Sequence, residues 1–390
     1  MTSAPILDDD IQQLRSVVAQ QAAVRIAPLA SRVDREQRFS PELWAAVRDV
    51  GLFALPFAEE YGGAGGSVQA YVAATEEVGR HCAVAGLYPG TTIQVAMTLL
   101  AHGTPEQIST HVPALVAGER LAAWAFTEPG TGSDPRQITT RAERIDGGWR
   151  LSGQKLLISF ADQAAQALVF ARTDERALGA FLVDTDQRGW SVGTPADVLS
   201  FGGTEAAPVH LDGVELSDDR LVGGPQDGFS VMLAGEAFGK VRASAICVGI
   251  GRRAVEEAAR YASSREHRGE PIGEKFATVR AQIGAAAAGV AGAAALVREC
   301  ASILDTGGDV TGQAASARLV SARAAREAAL AALHVCGAYG LTKDLPVERL
   351  YREAVFFDVA QGVAEIQQLI VAREVLAQVN RLESRQGVQQ

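Results

Sequence analysis

The hydrophobic period of the chain changes twice, and this change constrains the fold more than any other feature of the sequence. From about residue 8 to residue 122 the apolar residues recur at helical spacing, and residues 41–48 follow Ser40 as a helix follows its N-cap. From about Leu121 short segments rich in Val, Thr, Phe and Trp alternate with Gly and Asp turns, which indicates strands. Beyond about Phe229 the helical spacing returns. The pattern predicts an α+β fold.

The middle region is expected to contain a hairpin and several further strands. Residues 139–145 and 149–152 flank an Asp-Gly-Gly turn at 146–148, and these residue types tolerate the backbone angles that such turns need. The further strand segments are 167–171, 180–183 and 208–211.

Long helices rich in small residues are expected in the last region. They are predicted at 240–265, 276–304, 313–335 and 364–382. Apolar faces of this length pack in a bundle, and they also suit contacts between subunits. The predicted domains are an N-terminal all-α domain (1–121), a middle β-sandwich or barrel-like domain (122–230) and a C-terminal four-helix-bundle domain (231–390).

Charge and cysteine content narrow the possible partners. The 46 acidic and 36 basic residues give a formal net charge of −10, which opposes binding to nucleic acid or to an anionic membrane surface. The cysteines are far apart and lie in apolar surroundings, so we expect buried free thiols. The N-terminal residues lack a basic region followed by an apolar run, and no uninterrupted apolar stretch approaches membrane-spanning length. A cytoplasmic protein is expected.

Sites for a dinucleotide, a nucleotide phosphate or a metal ion have little support in the sequence. No GxGxxG motif leads from a strand into a helix, since Gly249-Ile-Gly251 is followed by two arginines, and no P-loop is present. The histidines form no HExxH or other ligand spacing, so no metal site is predicted.

Several motifs in sequence order resemble the acyl-CoA dehydrogenase family over essentially the whole chain. The most informative are Thr127-Glu-Pro-Gly-Thr-Gly-Ser-Asp134, which is similar to the family's flavin loop, and Ala360-Gln-Gly-Val-Ala-Glu-Ile-Gln367, which is similar to its closing motif. Further matches are residues 61–65, 151–159, 265–272, 337–340, 350–354 and 369–374. The resemblance implies the acyl-CoA dehydrogenase fold, with a helical domain, a β-domain and a helical bundle in that order.

The resemblance also implies FAD as the cofactor and assigns residues to it. Thr127 and Ser133 offer hydroxyls, and Gly132 lets backbone N–H groups approach a ligand closely. Ser159 stands where relatives carry a hydroxyl that hydrogen-bonds the reactive edge of the flavin, and Leu157 replaces the tryptophan that lies against the ring. Without the resemblance, the loop is explained as a Gly-rich turn with Ser and Thr caps.

More cofactor contacts are implied in the last region. Arg265 matches the arginine that reaches the pyrophosphate of a flavin bound mainly by the neighbouring subunit, and a fixed cationic fork suits a phosphate. Taken alone, it is a solvated arginine at a helix end. The other implied positions are Phe126, His334, Gly337, Val363 and Glu365. His334 and Val363 replace a glutamine and a threonine, so this end of the pocket departs from the family's pattern.

Gln361 stands where most members of the family carry the catalytic glutamate. Dehydrogenation in the family removes a proton α to a thioester carbonyl, and a carboxamide cannot accept that proton. The family's second known position for the base precedes the arginine that corresponds to Arg242, and here it holds Val241. The carboxylates nearest in sequence to these two positions are Glu365, Asp358 and Glu236.

The substituted base position leaves three interpretations open. Another carboxylate has taken over as the base, or the site runs different flavin chemistry such as that of the family's monooxygenases. Alternatively the protein is a non-redox member, either the silent subunit of a hetero-oligomer or a ring-forming or rearranging enzyme.

Two further features bear on the substrate. Ala360, where many relatives have tyrosine, would widen the pocket for a bulky ligand. Residues 238–250 are similar to acyl-carrier-protein dehydrogenases of polyketide and related specialised pathways. The resemblance therefore implies a flavin-dependent oxidoreductase that acts on a bulky substrate or on an acyl thioester of coenzyme A or a carrier protein. A homotetramer or homodimer is expected.

Overall fold

The computed structural model of the protein describes residues 8–387, and it begins with a helical region. The helices are α1 (Asp8–Gln21), α2 (Ala27–Glu36), α3 (Pro41–Asp49), α4 (Val68–His81), α5 (Ala83–Leu87), α6 (Gly90–His102) and α7 (Pro105–Val116), with a π-helical turn at Ala22–Ile26 between the first two. The N-cap prediction for α3 is confirmed, because the Leu43 N–H donates to Ser40 Oγ at 3.1 Å.

A single large sheet follows the helices. Its strands are β1 (Ala122–Ala125), β2 (Arg141–Ile145), β3 (Gly148–Ile158), β4 (Gln166–Asp174), β5 (Ala177–Asp184), β6 (Trp190–Val192), β7 (Ala207–Ser217) and β8 (Leu221–Val222). The strand order is β6-β7-β3-β2-β4-β5-β8, and β1 also pairs with β4. Pairing is parallel for β1 with β4 and for β2 with β4, and antiparallel elsewhere in the sheet.

The predicted hairpin is confirmed. Strands β2 and β3 pair antiparallel, with Ile145 opposite Gly148. Gly147 has a φ of 70°, the left-handed conformation that favours glycine in a tight turn. The other predicted strand segments lie within β4, β5 and β7, whereas the sequence pattern does not predict the shorter strands β1, β6 and β8.

The last region is helical, apart from a short hairpin whose two strands have two residues each. Its elements are α8 (Gly228–Ser264), β9 (Glu266–His267), β10 (Glu270–Pro271), α9 (Ile272–Lys275), α10 (Ala277–Asp305), α11 (Thr311–Cys336), α12 (Val347–Val359) and α13 (Ala364–Gly387). The prediction that the first long helix begins at residue 240 is wrong, because α8 begins at Gly228. Helix α11 packs against α10, α12 and α13.

The described chain forms two compact units. The first ends at Gly239 and the second begins at Lys240. The order of helical, β and helical regions confirms the predicted fold class. The division into three domains, with boundaries after residues 121 and 230, stays a prediction. Each cysteine is buried and free, as expected: Cys82, Cys247, Cys300 and Cys336.

Two helical segments are candidate membrane spans by length and mean hydropathy, although neither is an uninterrupted apolar run. Residues 83–102 and 277–305 are long and apolar enough to cross a membrane by length and composition, and the bent pair α12 and α13 would be a third if counted as one span. Isolated polar residues interrupt these segments without lowering their mean hydropathy much, which is why a search for uninterrupted apolar runs missed them. In the first segment 78% of the apolar window is buried inside the protein, against 33% in the second.

Candidate active site

A tight loop between β1 and β2, residues 126–133, carries the first group of predicted site residues. The Leu156 N–H donates to the Thr127 carbonyl oxygen at 2.8 Å, which holds the loop beside the end of β3. Glu128 and Thr131 exchange backbone hydrogen bonds of 2.8 and 3.2 Å, which close the turn. The loop therefore lies next to the strand end that carries the other predicted flavin contacts.

A buried ion pair underlies this loop, and sequence reasoning missed it. Lys155 Nζ lies 2.8 Å from Glu128 Oε1 and also donates to the carbonyl oxygens of Phe170 at 2.6 Å and Phe126 at 3.3 Å. Both charged side chains are almost completely buried. A signal was present in the sequence, because Lys155 shares the inward face of β3 with Leu151 and a lysine on an inward face needs a partner.

The Glu128 carboxylate is stabilised in its charged form. Glu128 Oε2 accepts the Thr139 N–H at 2.6 Å and the Thr139 hydroxyl at 2.7 Å, and Oε1 accepts the Thr140 N–H at 3.0 Å. Burial alone would raise the pKa of Glu128, but the Lys155 charge and these hydrogen bonds outweigh it and lower the pKa to about 2. Burial lowers the pKa of Lys155 to about 8, with Glu128 opposing the shift. At neutral pH the pair is ionic and anchors the loop to β3.

The loop and the strand end present hydroxyls that are free to bind a ligand. Thr127 and Ser159 are part-buried and Ser133 is exposed, and none of the three hydroxyls bonds another residue of the described chain. A Cβ added at Gly130 would meet nothing within 4 Å, and one at Gly132 would meet only Thr127 Cγ2 at 3.6 Å. Free hydroxyls around an open, glycine-containing loop fit the polar edge and phosphates of FAD.

Aromatic packing and a strand irregularity shape the same region. The Phe126 ring is half-buried and meets Phe170 edge-on with a centroid separation of 5.8 Å. Leu157 lies in a register shift between Lys155 and Ile158, has a φ of 55° and is 51% exposed. A left-handed leucine in an irregular strand is uncommon and marks a locally constrained backbone. Leu157 therefore presents an aliphatic surface at the end of β3.

The second unit carries three predicted cofactor residues at the C-terminal ends of two helices. Arg265 follows α8, is exposed and has no side-chain partner within residues 8–387. His334, in the last turn of α11, is exposed and lines a groove of about 270 Å³ between α10 and α11. Gly337 ends α11 with a φ of 58°, and no atom lies within 4 Å of a Cβ built there. These positions offer a free guanidinium, a free imidazole and open backbone.

Gln361 lies in the connection between α12 and α13. Its backbone is left-handed with a φ of 58°, and the following Gly362 has a φ of 86°. Glycine is favoured at 362 because a side chain would be strained at this φ, and an added Cβ would also displace the end of the Gln367 side chain. The side-chain oxygens of Gln361 and Gln367 are buried and have no hydrogen-bond partner within the described residues. Unmet buried acceptors in a constrained connection fit a ligand-facing position.

The candidate replacement bases have different surroundings. Asp358 Oδ2 lies 2.6 Å from Arg326 Nη1, so this carboxylate is engaged in an ion pair. Glu365 is exposed in the first turn of α13, two residues after the part-buried Val363. Glu236 is part-buried in α8, within the first unit. The second unit thus holds two of the candidates. Asp358, which precedes Gln361 in the chain, is paired with Arg326, and Glu365, which follows it, is exposed to solvent.

Comparison with protein families gives matches along nearly the whole chain. Residues 8–119 match the acyl-CoA dehydrogenase N-terminal domain, residues 123–214 the middle domain and residues 226–376 the C-terminal domain.

Individual proteins are similar at low sequence identity and high coverage. The probable acyl-CoA dehydrogenase YngJ of Bacillus subtilis is 32% identical over 95% of this chain and 99% of its own length. The structure of butyryl-CoA dehydrogenase from Megasphaera elsdenii superposes with a TM-score of 0.92 at 25% identity, covering 96% of this chain and 100% of that one. That of the prolyl acyl carrier protein oxidase AnaB superposes with a TM-score of 0.90 at 25% identity, covering 95% and 100%.

Proposed function

The chain belongs to the acyl-CoA dehydrogenase family and is a FAD-dependent flavoenzyme, and we propose that it works with an atypical active site at Gln361. The proposed substrate is a thioester-linked or bulky intermediate of specialised, polyketide-type metabolism. Gln361 itself carries this proposal. Its carboxamide stands in the family's position for the catalytic glutamate and is held in a left-handed connection with its oxygen buried and unpartnered.

A carboxamide changes what this position can do. It cannot accept the α-proton of a thioester, which removes the general base that the family places here. It can still accept a hydrogen bond through its oxygen and donate through its NH₂ group. We therefore assign Gln361 to ligand orientation, with proton removal either absent or carried out by Glu365, Asp358 or Glu236.

Each unit carries residues that would contact an FAD molecule. In the first unit the proposal assigns the flavin ring to Thr127 and Ser159, with Leu157 against it, and the phosphates to the loop at Gly132 and Ser133. In the second unit it assigns Arg265 to the pyrophosphate of a neighbouring subunit's cofactor. The proposal also assigns cofactor contacts to Phe126 in the first unit. In the second unit it assigns them to His334, Gly337, Val363 and Glu365. Bound FAD supplies an acceptor for two electrons from the substrate.

The carrier of the substrate is proposed from two observations. AnaB is named as a prolyl acyl carrier protein oxidase and has the same fold over 95% of this chain. Ala360 precedes Gln361 and, with its small side chain, leaves room for a bulky acyl group. We favour a carrier-protein or coenzyme A thioester over a free acid.

The assembly is proposed to be a homotetramer or homodimer in the cytoplasm. The exposed face of α10 consists largely of alanine and glycine, and only 33% of its apolar window is buried within one copy of the chain. A partner surface would remove this apolar area from water. A second subunit is also what the proposed role of Arg265 requires.

The proposal is tested by the visible spectrum of the purified protein. A flavin spectrum is expected, together with reduction by a flavin reductase and little or slow bleaching by butyryl-CoA under anaerobic conditions. Rapid bleaching of the wild type by the thioester would show that another carboxylate is the base. Reduction by the reductase alone, reversed by air with oxygenated product, would favour a monooxygenase. A protein without flavin would overturn the redox proposal.

A further inference from the structure

A buried arginine lies beneath the connection that carries Gln361. Arg318 is in the first half of α11, and its side chain is among the largest that are fully buried. In the described chain it forms no direct ion pair with a carboxylate; the Asp358 charge acts on it at longer range, and Asp358 itself is paired with Arg326 at 2.6 Å. Burying a cation without a directly paired counter-ion is costly unless hydrogen bonds compensate for the loss of water.

The Arg318 guanidinium binds the carboxyl end of α12. Arg318 Nη2 donates to the carbonyl oxygen of Ala360 at 2.5 Å and also to that of Phe357. The guanidinium carbon lies 5.5 Å from the centre of the Phe357 ring. The last carbonyls of a helix have no partner within the helix, and the helix dipole makes that end negative. Arg318 therefore acts as a cationic cap from a neighbouring helix.

The residue that follows this cap is Gln361. The Ala360 N–H donates to the Phe356 carbonyl oxygen at 3.0 Å, and the Ala360 carbonyl oxygen accepts from Arg318. Both backbone polar groups of Ala360 are therefore hydrogen-bonded. The next two residues are left-handed. Any movement of the Ala360 carbonyl would turn the peptide that joins it to Gln361, and would thereby redirect the carboxamide.

We infer that Arg318 is the positioning residue of the active-site connection: by holding the Phe357 and Ala360 carbonyls it sets the direction in which Gln361 meets the ligand. This inference rests on the proposed function, in which Gln361 faces the reacting substrate. A guanidinium suits the task because its Nη2 amino group carries two N–H donors, one for each carbonyl. Arg318 touches no substrate in this assignment and acts through Gln361 alone.

The first test measures amide hydrogen exchange of residues 356–367 in the FAD-loaded full-length protein. Arg318→Met should speed exchange in this segment by about ten- to a hundredfold, the effect of losing one or two hydrogen bonds from a charged donor. Arg318→Lys keeps a cation that can reach one carbonyl, so it should restore part of the protection. Arg323→Met is the matched control, because Arg323 is an exposed arginine of the same helix. The control should exchange like the wild type.

The second test uses a Gln361→Glu background and butyryl-CoA as the probe. Adding Arg318→Met should lower the limiting rate of flavin bleaching by about ten- to a hundredfold, because a misplaced carboxylate loses rate more than binding. The half-saturating concentration should change by less than about threefold, and Arg318→Lys should recover part of the rate.

The outcomes separate this inference from the function on which it rests. Unchanged exchange of residues 356–367 in Arg318→Met would overturn the inference whatever the activity. A loss of protection spread evenly over α11, α12 and α13, with no recovery in Arg318→Lys, would also overturn it, because it would indicate a general packing role. If Gln361→Glu shows no bleaching at all while exchange responds as expected, the proposed function fails and the cap on α12 stands.

Discussion

Glu128 and Lys155 show how one buried pair of residues can support a binding loop. Their ionic form is kept in the interior because the Lys155 ammonium also meets the Phe170 and Phe126 carbonyls and the Glu128 carboxylate accepts three further hydrogen bonds. A buried pair of this kind adds little net stability over an apolar pair of the same shape, but removal of one partner leaves an uncompensated charge. The pair therefore makes the loop position sensitive to single substitutions.

Glu128→Gln should lower the free energy of unfolding by about 3 to 5 kcal/mol at neutral pH, because Lys155 is left buried and unpaired. Urea unfolding followed by far-UV circular dichroism measures the change. Glu215→Gln is the matched control, since Glu215 forms an exposed pair with Arg150 and should cost no more than about 1 kcal/mol. The double variant Glu128→Gln/Lys155→Met should recover much of the loss. Equal effects of Glu128→Gln and Glu215→Gln would contradict the burial argument.

The same pair predicts a pH dependence. The pKa of Glu128 is lowered from 4.5 to about 2, so its contribution to stability is present above about pH 4.5 and is lost as the pH falls toward about 2. The stability difference between the wild type and Glu128→Gln should therefore shrink through this window. Urea titrations at several pH values across it would check the trend. A difference that stays constant down to pH 2 would show that folding does not lower the pKa of Glu128.

Gln361→Glu should supply a general base at the position that the motif resemblance assigns to the family's catalytic glutamate. Anaerobic bleaching of the flavin by butyryl-CoA is expected to rise by about 10²- to 10⁴-fold over the wild type, the usual contribution of a positioned base. Stopped-flow absorbance measures it. Gln361→Met, which is similar in size and has no base, serves as the control and should gain no rate over the wild type. A wild type that already bleaches as fast as Gln361→Glu would place the base elsewhere.

At the scale of elements, short polar contacts decide where helices begin and how they attach to the sheet. Helix α7 begins with a capping box in which Gln107 N–H donates to Thr104 Oγ1 at 3.2 Å and Thr104 N–H donates to Gln107 Oε1 at 3.0 Å. Gln107 Nε2 also donates to the carbonyls of Asp219 at 2.6 Å and Leu221 at 2.9 Å. One side chain thus both caps α7 and ties it to β8.

Thr104→Ala should lower the free energy of unfolding by about 1 kcal/mol, as the loss of an N-cap does. Gln107→Ala should lower it by about 2 to 3 kcal/mol, since three hydrogen bonds of about 1 kcal/mol each are lost. Ser109→Ala, at an exposed position of the same helix, should change it by less than about 0.5 kcal/mol. Urea unfolding measures all three. The attachment to β8 has no energetic role if Gln107→Ala costs no more than Thr104→Ala.

The start of α8 shows where local sequence misleads. Gly235 and Gly239 give residues 228–239 low helix propensity, so the sequence favours a later start. Glycine at 235 has a packing reason, because a Cβ there would lie 2.6 Å from the Trp124 ring. Tertiary packing therefore overrides propensity in the first turns of this helix. By contrast, the predicted bounds of α10 and α11, which have no such conflict, are correct to within two residues.

At the scale of the whole molecule, α10 is notable because much of its apolar surface stays exposed in a single copy of the chain. The helix is 29 residues long, and its exposed residues include Gly284, Ala288 and Gly292. Small side chains permit close approach of another helix, and the proposed oligomer would cover this face. The proposed role of Arg265 would then tie cofactor retention to assembly.

Ala288→Arg should disrupt the proposed oligomer by placing a charge on the exposed face of α10. Light scattering after size-exclusion chromatography is expected to give a lower mass than for the wild type, together with a lower flavin-to-protein absorbance ratio. Gln13→Arg, on the exposed side of α1, provides the control and should leave both quantities unchanged. An unchanged mass for Ala288→Arg would show that α10 is not the contact surface.

The sequence by itself determined the order of helical and β regions, the Asp-Gly-Gly hairpin, the cap of α3 and the family. Each of these depends on residues close together in the chain, where hydrophobic period, turn chemistry and motif order are directly visible. The tertiary structure alone decided which charged groups meet. Glu128 and Lys155 are 27 residues apart, and Arg318 reaches carbonyls 39 and 42 residues away. Such partners depend on how strands and helices pack, and local spacing does not encode that packing.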